Sequence, residues 1–209
     1  AALLPEVIGE GGVTVHFEAA DSAFARAVLD RVLSQPPLPA IPVGFPHGAR
    51  IFLPRSEAAI DALLGGRRPE WSAGLALPNA GWIVLPVGRG EPTGRRDLLD
   101  DVLRHEWAHI GQHQAAGGYR APRWFVEGYA EYAAGWDTET AWRLRVALAA
   151  DDSLGLNAFT LDWPRGRSES EIAYLFSASV IDYLVEASGE AGLSAFIAHW
   201  REGGRFEEA

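Results

Sequence analysis

Two histidines four residues apart, in the run His105-Glu106-Trp107-Ala108-His109, constrain this chain more than any other feature in it. Four residues of helix advance about 400° and 6 Å, so a helical run puts both imidazoles on one face, one turn apart. At that separation two ring nitrogens can converge on one ion, with zinc–nitrogen bonds of roughly 2.0–2.1 Å. Glu106 sits at the edge of the same face, where its carboxylate reaches a bound water rather than the ion. The run therefore predicts a helix over about 97–115, which Ala115-Ala116-Gly117-Gly118 ends. Pro122 then opens a second helix that carries Glu127 in its first turns. Residues 110–126 suffice to finish one helix, turn, and bring the next antiparallel beside it.

His105-Glu106-Trp107-Ala108-His109, a gap of this length, and then Trp124-Phe125-Val126-Glu127-Gly128-Tyr129-Ala130-Glu131-Tyr132 together resemble the gluzincin branch of zinc metallopeptidases. The second run is most similar to that of the small bacterial peptidase-MA-like domains. The resemblance implies His105, His109 and Glu127 as zinc ligands, Glu106 as general base, and hydrolysis of peptide bonds. It also implies an extracytoplasmic setting, exported or tethered to a bacterial membrane. Three protein ligands leave a fourth zinc position for water, the mark of a catalytic rather than structural site. Two neutral imidazoles and one carboxylate leave a site charge near +1, and zinc then brings the pKa of its water towards ~7. Glu106 takes that proton and hands it to the leaving amine.

The developing oxyanion needs a further donor. Tyr174 is the candidate, because Glu171–Ser179 resembles a Tyr-bearing helix that faces the metal in the peptidase-MA-like domains; the alternative is a helix tyrosine buried by its ring. Tyr119 and Tyr129 fit less well, Tyr129 lying two residues from Glu127 on a different face. Glu131 shares the face of Glu127 and can fix the tautomer of a ligand histidine, unless it is simply a solvated helix carboxylate. Asp101, one turn before His105, poses the same choice.

Several absences narrow the chemistry. His113 lies one turn beyond His109, but three successive turns span about 12 Å, too far for one ion. The metzincin solution, H-E-x-x-H-x-x-G-x-x-H, fails because Gln112 and Ala115 stand where it requires Gly and His. His16, His47 and His199 are single and scattered. Aminopeptidases of the gluzincin branch carry a G-x-M-E-N loop, whereas Gly74-Leu75-Ala76-Leu77-Pro78-Asn79 has no acidic residue, which favours an endopeptidase. The chain has no Cys, so thiolate ligands and disulfides are excluded. Its net charge of −10 offers no basic patch for nucleic acid, and a peptide or protein is the expected partner. No apolar run approaches the ~18 residues that a transmembrane segment needs. The reading from a different class is a zinc-containing binding or scaffolding module that cleaves nothing.

At 209 residues and 48% apolar, the chain suits a single zincin-like catalytic domain. We expect an α+β fold: residues 1–115 form an α/β lobe with the metal helix, and 116–209 a mainly helical lobe, with the cleft between. The small mixed sheet has about four strands: 13–18, 50–54, and an edge hairpin of 73–77 and 82–86 around Pro78-Asn79-Ala80-Gly81. Either hairpin strand can be the edge that pairs with an extended substrate, or simply face solvent. Asp21 or Ser22 caps a helix to about Ser34, with Phe24, Val28, Leu29, Val32 and Leu33 on one stripe, and Ser56 caps another to Leu64, closed by Gly65-Gly66. Later helices run over about 139–150, 169–187 and 190–202. An arginine-rich stretch, Gly88–Arg96, precedes the metal helix, and a loop over Ser153–Arg167 contains Trp163-Pro164. Trp107 packs the core, and Trp124 and Phe125 brace the helix of Glu127. The start at Ala1 points to a removed leading segment or a fragment, and Arg205–Ala209 reads as the opening of a further helix.

Overall fold

A glycine pair opens the sheet. Gly11 and Gly12, at φ 59° and 81°, join β1 (Glu6–Glu10) to β2 (Val13–Phe17) as an antiparallel hairpin. A two-residue turn with both φ values positive matches the twist of the flanking strands, and glycine takes it without strain. The chain continues through α1 (Ser22–Leu33), β3 (Arg50–Phe52), α2 (Glu57–Leu64), β4 (Leu75–Leu77), β5 (Trp82–Val84) and α3 (Arg96–Ala115). After α3 come α4 (Arg123–Gly135), α5 (Thr138–Ala150) and α6 (Arg167–Arg201). The computed structural model describes residues 3–65, 73–87, 96–118, 121–135, 138–150, 159, 163–164 and 166–203. Gly66, most of the arginine-rich stretch, Tyr119, most of the 153–167 loop and the helix expected at 205–209 lie outside the described residues.

The fold is α+β with a five-stranded mixed sheet in the order β1-β2-β3-β5-β4. The sequence led us to about four strands; β1 is the addition. Its residues are largely exposed on both faces, so it carries no alternating apolar signal, and the Gly11-Gly12 pair was the available clue. β2, β3 and β5 are parallel, and β4 returns antiparallel to β5. Of the two proposed edge strands, only β4 lies at an edge; β5 is paired on both sides.

Val13, Val15 and Phe17 alternate into the core beneath α1, whose Val28, Leu29 and Val32 are also buried. Leu33 departs from the expected stripe: it is 40% exposed. A side chain at Gly11 would come within 2.8 Å of the Leu33 Cδ2 atom. On the other face of the strands, His16 stacks on Phe52 at 4.7 Å, and Phe52 meets Trp82 at 4.8 Å. Burial and the Arg50 charge push the His16 pKa down, as fits a residue in an aromatic row.

Helix caps follow the sequence in one case and not in another. Ser56 accepts a hydrogen bond from the Ala59 amide at 3.1 Å, and Gly65 closes α2 at φ 66°. Asp21 precedes α1 without a side-chain cap, because its buried carboxylate accepts instead from Arg55 Nε at 2.7 Å and from Nη2. α6 consists of two helices meeting at Gly189 (φ 71°, ψ 171°), where the sequence pattern predicts a break.

The chain divides into two compact units. One is Ala1–Pro37 with Pro46–Gly111, the other Leu38–Phe45 with Gln112–Ala209. The boundary between them falls inside α3, and Leu38–Phe45 belongs to the second unit. There the Tyr129 hydroxyl donates to the Pro39 carbonyl at 2.6 Å, and the Ala40 amide to Glu190 Oε2 at 3.2 Å. Among the described residues, no helix is long and apolar enough to cross a membrane.

Arg55→Ala leaves the buried Asp21 carboxylate without its paired guanidinium. We expect a loss of about 2 kcal/mol in unfolding free energy from urea denaturation, since hydrogen bonds to charged groups are worth roughly 1.5–3 kcal/mol. Asp21→Asn in the Arg55→Ala background should regain part of it; an unchanged midpoint for Arg55→Ala would rule out this pairing as a stabiliser.

Candidate metal centre

On α3, His105 and His109 are both half-buried, and their Nε2 atoms stand 3.1 Å apart. The ring planes cross at 82° with centroids 4.7 Å apart, so the rings meet edge on. Two nitrogens sharing a tetrahedral zinc at roughly 2.05 Å would be separated by about 3.3 Å. The helix thus presents the pair at close to the spacing one ion needs. The same distance suits a hydrogen bond between two neutral rings, so the pair alone does not decide for a metal. A third group bears on the choice: the ligand atoms of His105, His109 and Glu127 all lie within 4.8 Å of one another. Among the described residues, no other trio of His, Asp or Glu comes together in this way.

Glu106 is buried, with only 8% of its surface exposed. The first unit brings an unexpected neighbour to it. A side chain at Gly74 would come within 2.9 Å of Val102 Cγ1, 3.0 Å of Leu85 Cδ2 and 3.1 Å of Glu106 Cγ. The residue just ahead of edge strand β4 therefore lies against the turn of α3 that carries the candidate base. From the sequence Gly74 was merely part of a strand; an isolated glycine in a strand pattern was the signal of close backbone approach.

α4 owes its position to another glycine. A Cβ at Gly128 would stand 2.5 Å from the Ser177 carbonyl oxygen and 2.6 Å from its carbon, both backbone atoms of α6. Only glycine admits that approach. The preceding turn is anchored by Phe125, which is fully buried and packs against Phe196 at 5.5 Å and Trp200 at 4.8 Å. Trp124 meets the same ring at 5.7 Å, so both aromatics brace the helix as the sequence indicated. Trp107 is buried.

Glu127 is 14% exposed at its side chain, and its Oε1 lies 3.5 Å from Arg123 Nε, one turn earlier. The Arg123 guanidinium covers the Trp163 ring at 5.0 Å, and the Trp163 ring is 5.0 Å from that of Tyr174. Tyr174 is half-buried on α6 and connects to Glu127 through these two residues. Neither Arg123 nor Trp163 stood out in the sequence; the i, i+4 spacing of Arg123 and Glu127 was the signal for the first. Glu131, half-buried, occupies the next turn of α4. Tyr129 is fully buried and its hydroxyl is taken by Pro39. His16, His47, His113 and His199 stand outside the group of three. Burial lowers the His113 pKa, and its carbonyl accepts from the Gly118 amide at 2.9 Å where α3 ends.

No family model and no curated protein matches this chain. The chemistry of the site therefore rests on its own residues.

Gly128→Ala must drive α4 from α6 or distort both, and overpacking of this kind costs about 1–3 kcal/mol. Thermal melting should report that loss. A Gly128→Ala protein with unchanged melting temperature would contradict the close approach.

Proposed function

We propose that this protein is a zinc-dependent peptidase that cleaves within polypeptide chains. His105, His109 and Glu127 hold the ion, and Glu106 is the general base. The observation that carries this reading is the grouping of three ligand atoms within 4.8 Å, with a buried carboxylate at the residue next to the first of them. Two imidazoles and a carboxylate are a donor set suited to zinc in hydrolytic sites, and with no cysteine in the chain no thiolate competes. The resemblance to gluzincins supplies the substrate class, and an extracytoplasmic location belongs to the same reading.

Zinc, when bound, polarises the scissile carbonyl and makes water easier to deprotonate. Glu106 accepts the proton of the attacking water and carries it to the leaving amine. Its burial keeps bulk water from competing for that proton. Tyr174 is the proposed donor to the developing oxyanion, and Glu131 the proposed partner for the outer nitrogen of a ligand imidazole. β4 adds support for a peptide as substrate. It is an edge strand, and Gly74 ahead of it lies against Glu106, so a peptide added to that edge would run beside the base. Gly74–Asn79 lacks the acidic residue that would hold a free amine, which supports cleavage inside chains.

Glu106→Gln is expected to keep one zinc per chain by mass-spectrometric metal analysis and to lose peptide hydrolysis by about 10³-fold. His105→Ala and His109→Ala should lose the metal. Hydrolysis retained by Glu106→Gln would remove Glu106 as base. Wild-type protein that takes up no zinc would remove the metal centre, and zinc without turnover would instead support a binding or scaffolding module.

A further inference from the structure

We infer that Arg123 forms a subsite for a carboxylate of the peptide substrate. This rests on the peptidase reading above. Arg123 begins α4, one turn before Glu127, and half of its side chain (50%) is exposed. Among the described residues its guanidinium has two contacts: Nε against Glu127 Oε1 at 3.5 Å, and one flat face over Trp163 at 5.0 Å. Trp163 is held in turn by Phe159 at 5.9 Å and Tyr174 at 5.0 Å. Among the described residues nothing else pairs with the guanidinium, so part of its fork of five donors remains available.

Charge makes that availability consequential. Among the described residues Glu127 is the carboxylate paired with Arg123, and it is also the proposed anionic ligand of the metal. Glu127 would be shared between a bound ion and the guanidinium, which weakens its hold on Arg123 and leaves a fork suited to a planar anion. Stacking on Trp163 restricts the guanidinium in advance, so little side-chain freedom is lost when a carboxylate arrives. The carboxylate can come from an acidic side chain near the cleaved bond or from the C-terminus of the peptide. Either source turns an endopeptidase scaffold towards a particular class of sequence, in a chain whose net charge of −10 would otherwise disfavour acidic substrates.

The test begins with zinc-loaded wild-type protein and a peptide library digested from a whole proteome, read by mass spectrometry for cut sites. One cleaved peptide is then made in matched forms: Glu against Gln beside the cut, and a free against an amidated C-terminus. We expect wild type to favour one carboxylate form by about tenfold in kcat/KM, as charge-assisted pairing provides. Arg123→Gln should lose the preference, its kcat/KM for the carboxylate form falling to that for the carboxylate-free form whatever its overall rate. Arg123→Lys, which keeps the charge but not the fork, should retain part of it, and circular dichroism checks that both variants fold. Equal cleavage of all forms by wild type overturns the subsite and leaves the peptidase standing. An equal loss on all forms in Arg123→Gln, together with weakened zinc binding, overturns it in favour of a residue that only positions Glu127. No cleavage of any peptide removes the peptidase reading and the subsite with it.

Discussion

The bare backbone contact between α4 and α6 at Gly128 and Ser177 sets what the second unit can do. Helices that meet through side chains stay about 8–10 Å apart, and a glycine at the crossing lets them approach more closely. Glu127 is the residue next to the crossing and Arg123 lies one turn before it, so both inherit a position fixed by backbone rather than by flexible side chains. On α6, Tyr174 lies one turn before Ser177 and packs on Trp163, which in turn supports Arg123. The aromatic cluster of Phe125, Phe196 and Trp200 locks the approach from the other side. A site built on packed helices in this way holds its geometry better than one carried by loops.

α3 meets a different demand. It must keep a carboxylate, Glu106, out of water beside two histidines, a placement that costs free energy unless the group is partnered. In the first unit the chain ahead of β4 also comes close to this helix at Gly74, where a Cβ would stand 2.9 Å from Val102 Cγ1, 3.0 Å from Leu85 Cδ2 and 3.1 Å from Glu106 Cγ. Sheet edge and base are thereby joined in one unit. A chain that uses glycine at both Gly74 and Gly128 gives up backbone entropy twice to place two carboxylates.

Much of this was legible in the sequence where one element decides the outcome. The spacing of His105 and His109 on a single helix, the Ser56 cap, the break at Gly189 and the bracing role of Phe125 each depend on neighbours within a few residues. What was hidden depends on distant partners. Asp21 reads as a helix cap, yet Arg55 takes its carboxylate. β1 has no apolar face of its own and exists because β2 offers an edge. Leu33 sits on the helical stripe but ends near the Gly11 turn rather than in the core. Arg123 and Trp163 became visible only once the fold put a ring under a guanidinium. The expectation that His105, His109 and Glu127 act together came from a resemblance between motifs, since spacing along a chain does not by itself group residues so far apart in sequence.

The short segment Leu38–Phe45 has a consequence for how the protein is made. Ala40 holds a left-handed backbone at φ 56°, unusual for a residue with a side chain. It is held there by groups far along the chain, with Pro39 bonded to Tyr129 and Ala40 to Glu190. A ribosome delivers the segment long before it delivers those partners. Leu38 and Ile41 in the same segment are buried in the folded molecule. The first unit can assemble around this gap, but the second cannot close without reaching back for it. The two units therefore do not correspond to two halves of the chain cut at a single point, and an apolar stretch made early waits for a partner more than a hundred residues further on.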